Sequence, residues 1–226
     1  MNYTEPKVIY TCFPGGKHKV LTMSYDDGRL EDRRLVELFN RYGIRGTFNL
    51  NGGLPRPERI PESEWVELYK GHEVACHTYH HPTLSRSQLA QPARPVLCIR
   101  FARGVCDTQD FARPFDFMTL KASCHHTHNL LEDGKRFVEL YKTQYLYMMY
   151  VWGHSFEFRT EEDWALMEQF CQLAGGREDT WYATNIEIVD YMADAARLQY
   201  TAAGDKVCNH NAQSIWVEVD GRHYEI

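Results

Sequence analysis

Apolar and polar residues alternate along the chain in blocks that are typical of strands and helices in turn. Short β-rich runs recur, and the segments between them carry apolar residues at helical spacing. The pattern predicts strands at 19–25, 46–50, 73–76, 145–152 and 181–183, and helices at 30–39, 61–70, 131–141, 161–174 and 186–198. Repeated βα units of this kind predict an α/β fold with a mostly parallel sheet, open or closed into a barrel. In such folds the chemistry lies at the carboxyl ends of the strands.

The last part of the chain changes to a period-two pattern. It is interrupted at Gly204-Asp205 and Asp220-Gly221, which are turn signals, so one or two terminal β-hairpins are predicted. A length of 226 residues fits one large domain better than two. We therefore expect a single domain over 1–226, with a core at about 18–198 and a β extension at about 199–226.

Charge and composition exclude several classes of protein. Lys and Arg total 25 against 31 Asp and Glu, a formal charge of -6, and no long basic run is present, which argues against nucleic-acid binding. The most apolar stretch, 145–152, is too short to span a membrane, and the N-terminus lacks the apolar core of a signal peptide. The seven cysteines are scattered without a C-x-x-C pair, which favours reduced thiols. We expect a cytoplasmic protein, and a homo-oligomer is compatible with the sequence.

Two groups of residues at predicted strand ends could carry chemistry. Asp26 and Asp27 precede Gly28; an Asp-Gly pair is a common turn signal, but two carboxylates in different environments could also divide cation binding and proton uptake. His77 and His81 follow the third strand, four residues apart. A histidine pair alone is more often surface or core than metal-ligating. Together with the two carboxylates it predicts a divalent-metal site with open positions.

Two further histidine groups follow. His154 stands just past a strongly apolar strand, at the edge where the other candidates meet in a barrel, and capping of the strand explains it equally well. Cys124-His125-His126-Thr127-His128 also looks like a set of metal ligands, but its residues are too close together for a tetrahedral site. We interpret 124–128 as a polar loop near the site, with a second metal as the alternative.

These segments resemble the motifs of the polysaccharide deacetylase family, the NodB-homology domain of carbohydrate esterases. Thr22-Met23-Ser24-Tyr25-Asp26-Asp27-Gly28 resembles its T-F-D-D-G motif, and His77-Thr78-Tyr79-His80-His81-Pro82 resembles its H-[ST]-x-x-H-P motif about fifty residues later. Gly43-Ile44-Arg45-Gly46-Thr47-Phe48 is similar to the family's G-[IV]-x-A-T-F-F strand. Tyr150 to His154 occupies the place of a late strand that ends in L-H.

The resemblance implies a distorted (β/α) barrel and metal-dependent hydrolysis of an acetamide or a related C–N bond. By position, it implies Asp26 as the general base, Asp27, His77 and His81 as metal ligands, and His154 as the general acid. Zn²⁺ suits the histidine and carboxylate ligands, with Co²⁺, Ni²⁺ and Mn²⁺ as alternatives. The implied substrate is an N-acetylated sugar or another small molecule that contains such a bond.

One feature of the family is missing from the sequence. After its histidine motif, the family has a strand with R-x-x-x-[YF]-P-x-G, which supplies an arginine that orients the base and a backbone N–H for the oxyanion. Here 84–95 is followed by Val96–Arg103, which is similar to the next unit, and Arg113-Pro114-Phe115 is a superficial substitute. We expect one βα unit of about thirty residues to be absent. A degenerate member that binds metal or a carbohydrate-like ligand without turnover is therefore the alternative, and a structural protein with accidental motifs is a third hypothesis.

Overall fold

The computed structural model describes residues 8–53, 56–78, 100–112, 114 and 116–226. Within these residues the strands are β1 (Ile9–Cys12), β2 (Lys19–Asp26), β3 (Gly46–Leu50), β4 (Glu73–Cys76), β5 (Arg103–Asp107), β6 (Leu120–Ala122), β7 (Cys124–His125), β8 (Tyr147–His154), β9 (Thr180–Tyr182), β10 (Gln199–Tyr200), β11 (Val207–Cys208), β12 (Trp216–Val219) and β13 (Arg222–Glu225). The helices are α1 (Asp32–Arg41), α2 (Glu62–Leu68), α3 (Leu130–Val138), α4 (Glu161–Ala174) and α5 (Asn185–Ala195).

A mostly parallel sheet forms the centre of the fold, in the order β4-β3-β2-β8-β7, and β9 also pairs with β2. The first residues of β2 pair with β9 and the later ones with β3, so these two strands share one side of β2. All of these pairings are parallel. The predicted α/β class with a mostly parallel sheet is confirmed. Within the described residues the sheet is open, and its strands do not close into a ring.

The central strand β2 is buried along its whole length because both faces of the sheet are covered. Leu21, Met23 and Tyr25 point into a hydrophobic core that includes apolar residues of α1 and α4. On the alternate positions, Thr22 Oγ1 donates to Asn185 Oδ1 at 2.9 Å, at the start of α5. From Leu21 to Asp26, one face of β2 is therefore apolar, and the other carries a polar row, Thr22, Ser24 and Asp26.

Side-chain caps explain where the two later long helices begin. At the start of α4, Thr160 Oγ1 accepts from Asp163 N at 3.2 Å, and Asp163 Oδ2 accepts from Thr160 N at 2.9 Å. Thr184 and Glu187 form the same reciprocal arrangement at the start of α5. The predicted helix at 161–174 matches α4 residue for residue, whereas the predicted strand at 145–152 lies at Tyr147–His154. His154 is therefore the last residue of β8 and does not follow the strand.

The predicted terminal hairpins are present, and one of them pairs with the beginning of the chain. β10 pairs with β11, and β12 pairs with β13. β12 also pairs antiparallel with β1, which the sequence analysis did not predict. The pairing joins Cys12 to Trp216 and Ile9 to Val219. The second hairpin of the C-terminal β extension thus forms one sheet with β1, whereas β10 and β11 form a separate two-stranded sheet.

Among the described residues, none of the helices combines the length and the apolar character needed to cross a lipid bilayer.

Candidate active site

The carboxyl ends of neighbouring parallel strands carry polar side chains at matching positions. Asp26, the last residue of β2, is in register with Asn49 of β3 on one side and with His154 of β8 on the other. β4 pairs with the far side of β3, and His77 directly follows its last residue. Parallel strands in register direct equivalent side chains to the same face, so Asn49, Asp26 and His154 form one row.

The Asp26 carboxylate is almost fully buried and is held from two sides. Asn49 Nδ2 donates to Asp26 Oδ1 at 2.8 Å, and the same nitrogen lies 2.9 Å from Ser24 Oγ. The Arg103 guanidinium donates through Nη2 to Asp26 Oδ2. A buried carboxylate is tolerated when it is paired with a charge and hydrogen-bonded, and Asp26 meets both conditions.

Asp27 and His77 come together beside Asp26. His77 Nε2 lies 3.8 Å from Asp26 Oδ2 and 4.0 Å from Asp27 Oδ1. Metal bonds to imidazole nitrogen and carboxylate oxygen are each about 2.1 Å, so one ion can bind Asp27 and His77 across that 4.0 Å. The donor set of the described residues fits a divalent cation. The third predicted ligand, His81, lies outside the described residues.

The two turns that present these side chains have left-handed backbone conformations. Asp27 has φ +80° and Thr78, next to His77, has φ +65°. Hydrogen bonds to β3 hold both turns: Asp27 N donates to Asn49 O at 2.9 Å, and His77 N donates to Leu50 O at 2.8 Å. Such conformations cost free energy and persist where the surroundings fix them, most often at functional sites. Here β3 supplies that support for both turns.

Arg103 supplies the arginine that the sequence analysis expected to be absent. Its side chain is only 10% exposed, and the guanidinium carbon lies 4.1 Å from the centroid of the Trp152 ring, in a cation–π contact. Trp152 Nε1 in turn donates to Asp107 Oδ1 at 2.8 Å. The expectation that no arginine lies beside Asp26 is therefore wrong. Arg103 could not be recognised from the sequence, because it is not followed by the aromatic residue, proline and glycine of the R-x-x-x-[YF]-P-x-G motif.

The sequence analysis also predicts that one βα unit is missing, mainly from the segment after the histidine turn. Residues 79–99 lie outside the described residues. So do Arg113 and Phe115, two residues of the superficial substitute for the motif. The absence of one unit stays a prediction.

His154 contacts a carboxylate that the sequence analysis did not single out. Its Nδ1 lies 3.3 Å from Glu157 Oε2, and its backbone N–H donates to the same oxygen at 2.9 Å. Burial lowers the pKa of His154, but the hydrogen bond to Glu157 and the charges of Asp26 and Asp27 outweigh burial, and the pKa lies above its usual value of 6.5. The arrangement therefore favours the protonated imidazolium.

The histidines of 124–128 lie next to this pair. His125 Nε2 is 3.2 Å and His126 Nε2 is 3.5 Å from Glu157 Oε2, and His128 Nδ1 is 2.9 Å from Asp107 Oδ2. His126 stacks on Tyr25 and Phe158, and its burial lowers its pKa to about 3. Ligand atoms of His125, His126 and Glu157 lie within 4.8 Å of one another. The interpretation of 124–128 as a polar loop is wrong for Cys124 and His125, which form strand β7 and are buried. The alternative, a second metal, stays a prediction.

Three side chains that contact candidate-site residues were missed from the sequence: Asn49, Arg103 and Glu157. Glu157 stands three residues after His154, a spacing that allows the backbone and side-chain contacts seen here. Asn49 is a polar residue inside a fully buried strand, with 8% of its surface exposed, which is a signal for a specific partner. Arg103 carries no local signal, since its partner Asp26 is 77 residues away.

Residues 13–96 match the family model for polysaccharide deacetylases. The matched segment contains both motifs on which the resemblance was based, from Asp26 and Asp27 to His77 and His81. The match identifies a polysaccharide deacetylase domain in this part of the chain and confirms the family resemblance. The roles of the individual residues stay predictions.

One solved structure to which the chain is similar is the chitin deacetylase from the fungal pathogen Colletotrichum lindemuthianum. The sequences are 16% identical, the alignment covers 90% of this chain and 96% of that chain, and the TM-score is 0.43. No curated protein matches the sequence significantly.

Proposed function

We propose that this protein is a metal-dependent hydrolase that removes the acetyl group from an N-acetylated sugar or cleaves a related non-peptide C–N bond. The family match supports a hydrolase that acts on N-acetyl groups. The observation that carries the proposal is the contact between Arg103 and Asp26, with His77 lying 4.0 Å from Asp27 and His154 in register on the next strand. These groups together supply a base, a cation site and an acid.

The proposed metal ligands are Asp27 and His77, with His81 as the third. A divalent ion bound there, most simply Zn²⁺, would polarise the acyl carbonyl and lower the pKa of a water molecule. Asp26 would take the proton from that water as general base. Arg103 and Asn49 each hold one oxygen of Asp26, so the carboxylate is fixed in orientation before substrate binds.

His154 would deliver a proton to the departing amine. An amine is a poor leaving group unless it is protonated, so this step needs an acid whose pKa keeps it charged near neutral pH. Glu157 engages Nδ1 of His154 and raises the pKa of the imidazole, which leaves Nε2 as the nitrogen that can face a substrate. Glu157 is therefore a positioning residue for the acid.

We further propose a soluble substrate such as an N-acetylated sugar conjugate, and a cytoplasmic location. All six cysteines in the described part of the chain are free thiols, which is typical of a reducing compartment. We also propose that 1–226 acts as a single domain, because β12 pairs with β1 and links the two ends of the chain.

The alternative, a degenerate member that binds its ligand without turnover, is supported by the incomplete third motif. The Arg103 contact weakens that support, because the charge partner of the base is present even though the motif around it is not.

An amine-release assay on the metal-loaded full chain tests the proposal. The substrates are N-acetylglucosamine, its short β-1,4 oligomers, N-acetylated sugar conjugates and small amides. Asp26→Asn should keep the metal and lose about 10²–10⁴ in rate, whereas His77→Ala should lose both metal and activity. His210→Ala, at an exposed histidine, is the matched control. Full activity in Asp26→Asn would refute the base assignment, and a folded, metal-bound wild type that releases no amine from any substrate would favour the degenerate member.

A further inference from the structure

Four side chains with metal-ligating atoms converge at the opposite end of β2 from the candidate active site. They are Cys12 at the end of β1, His18 just before β2, Glu218 on β12 and His223 on β13, and one ligand atom of each lies within 4.8 Å of all the others. Asp26 is at the far end of the eight-residue β2, about 25 Å away at about 3.3 Å per residue. This cluster is therefore separate from the groups proposed for catalysis.

We propose that Cys12, His18, Glu218 and His223 form a structural Zn²⁺ site. His18 Nε2 lies 3.8 Å from Cys12 Sγ and 3.1 Å from Glu218 Oε2, and His223 Nε2 lies 3.3 Å from the same oxygen. With metal bonds of about 2.0–2.3 Å, the edges of a tetrahedron around Zn²⁺ are about 3.3–3.6 Å. The separations of the ligand atoms are close to those edges.

The chemistry of the four ligands matches zinc better than a hard cation. One thiolate, two imidazoles and one carboxylate form a set of the kind that Zn²⁺ binds. The charges of a thiolate and a carboxylate balance those of the ion, which matters because Cys12 is fully buried and the Glu218 side chain is 10% exposed. Four protein ligands leave no open position, so the site is structural.

The turn between Cys12 and His18 holds these two ligands together. Phe13 N donates to Lys17 O at 2.7 Å, and Lys17 N donates to Phe13 O at 3.2 Å, so a short hydrogen-bonded turn separates the two ligands. Gly16 in this turn has φ +74°, and a Cβ there would lie 2.5 Å from Cγ of His223. A glycine at this position allows the turn and leaves room for the His223 ring.

The consequence of such a site is a link between distant parts of the chain. His18 and Glu218 are 200 residues apart, and β1 and β12 pair through main-chain hydrogen bonds. A bound ion would join the first turn of the chain to both strands of the terminal hairpin. Its removal should loosen that hairpin without altering Asp26, Asp27 or His77.

Cobalt substitution of the metal-stripped full chain tests this proposal independently of catalysis. A cysteine thiolate bound to Co²⁺ gives a charge-transfer absorption in the near ultraviolet, and the proposed catalytic ligands include no cysteine. Wild-type protein should show this band, and both Cys12→Ser and His223→Gln should lose it together with one equivalent of metal. Cys76→Ser, which alters the thiol beside His77, is the matched control and should keep the band.

Three further measurements protect the test against unfolding and against a fault in the proposed function. His223 is 41% exposed, so His223→Gln should keep the native circular dichroism spectrum, and chelation should lower Tm more in wild type than in this variant, which lacks only the structural ion. His77→Ala should keep the cobalt–thiolate band even if it is inactive. Absence of the band in wild type, or its survival in both Cys12→Ser and His223→Gln, would overturn the proposal and leave a hydrogen-bonded polar cluster.

Discussion

Arg103 donates a hydrogen bond to the Asp26 carboxylate from a strand that does not belong to the central sheet. Asp26 ends β2 in that sheet, whereas β5 pairs with β6 in a separate two-stranded sheet. The orientation of the proposed base thus depends on how this small sheet packs against the large one. The Arg103 guanidinium also contacts Trp152 of β8 in the central sheet, and this second contact helps to hold the small sheet against the central one.

Replacing Arg103 with Ala should therefore reduce both activity and stability. The buried Asp26 carboxylate would lose its charge partner, which for a buried pair costs about 3–5 kcal/mol of unfolding free energy. We expect kcat/KM to fall by at least about 10², because the base is no longer held in place. Urea unfolding and the amine-release assay measure the two effects.

The variant Arg103→Lys separates the effect of the charge of Arg103 from the effect of its geometry, and Arg100→Ala is the control. Arg103→Lys keeps the charge but loses the planar fork and its contact with Trp152, so it should recover only part of the activity. Arg100 forms an ion pair with Asp190 at the surface, and Arg100→Ala should remain close to wild type. Wild-type kcat/KM in Arg103→Ala would contradict the role assigned to this contact.

Glu157→Gln should shift the alkaline limb of the pH–rate profile to lower pH. The hydrogen bond and charge of Glu157 raise the pKa of His154, so their loss lowers that pKa. Since a general acid works only while protonated, activity in the variant should begin to fall at a lower pH than in wild type. The measurement is kcat/KM between pH 6 and 10, with exposed Glu162→Gln as control. An unchanged alkaline limb would show that His154 is not the titrating acid.

Because the carboxyl group of Asp32 is buried, we expect its contribution to the unfolding free energy to fall as pH rises through the weakly acidic range. Burial raises the pKa of Asp32 to about 7, despite the hydrogen bonds from Ser155 and Tyr69, which lower it. Between about pH 4 and pH 7 the unfolded chain therefore loses this proton while the folded protein keeps it. The contribution of the protonated group to stability is present below about pH 4 and is lost as pH rises to about 7.

The variant Asp32→Asn isolates this contribution. The unfolding free energy of wild type relative to Asp32→Asn should fall by as much as about 4 kcal/mol from pH 4 to pH 7, at about 1.4 kcal/mol for each pKa unit. Urea unfolding across that range measures it, and exposed Glu67→Gln should follow the wild type. A pH-independent difference between wild type and Asp32→Asn would mean that Asp32 does not titrate there.

Gly153→Ala should destabilise the end of β8. A Cβ at this position would lie 2.0 Å from Nδ1 of His126, whose ring is buried and packs against both Tyr25 and Phe158. We expect a loss of about 1–3 kcal/mol, the usual effect of overpacking, and reduced activity because His154 is the next residue. Gly104→Ala is the control, since nothing lies within 4 Å of its Cβ position. Equal stability of the two variants in urea would disprove the packing argument.

The parts of the fold that the sequence predicts well depend on local pattern. β2, α1, β3 and α4 follow from the spacing of apolar residues, and their order implies that strand ends meet at one edge. Asp26, Asp27 and His77 could be proposed because each stands at the end of a strand or directly after one. Their proximity in the structure results from parallel pairing in register, which the βα order already implies.

The contacts that the sequence does not predict join residues that are far apart along the chain. Arg103 meets Asp26 across 77 residues, and Cys12 and His18 meet Glu218 only because β1 pairs with β12. Neither contact can be recognised from a local pattern. β1, which brings Cys12 close to Glu218, is only four residues long, and β5, which carries Arg103, pairs with β6 through a register shift. Long-range pairing of short strands depends on tertiary packing rather than on propensity.

The pairing of β1 with β12 also constrains the order of events during biosynthesis. The antiparallel partner of β1 leaves the ribosome only after some 200 further residues have been translated. Until then the edge of β1 is uncovered, and an uncovered edge can pair with other chains. Nascent chains truncated before Trp216 should therefore be the aggregation-prone species of this protein, and their yield should depend on how fast translation completes the last hairpin.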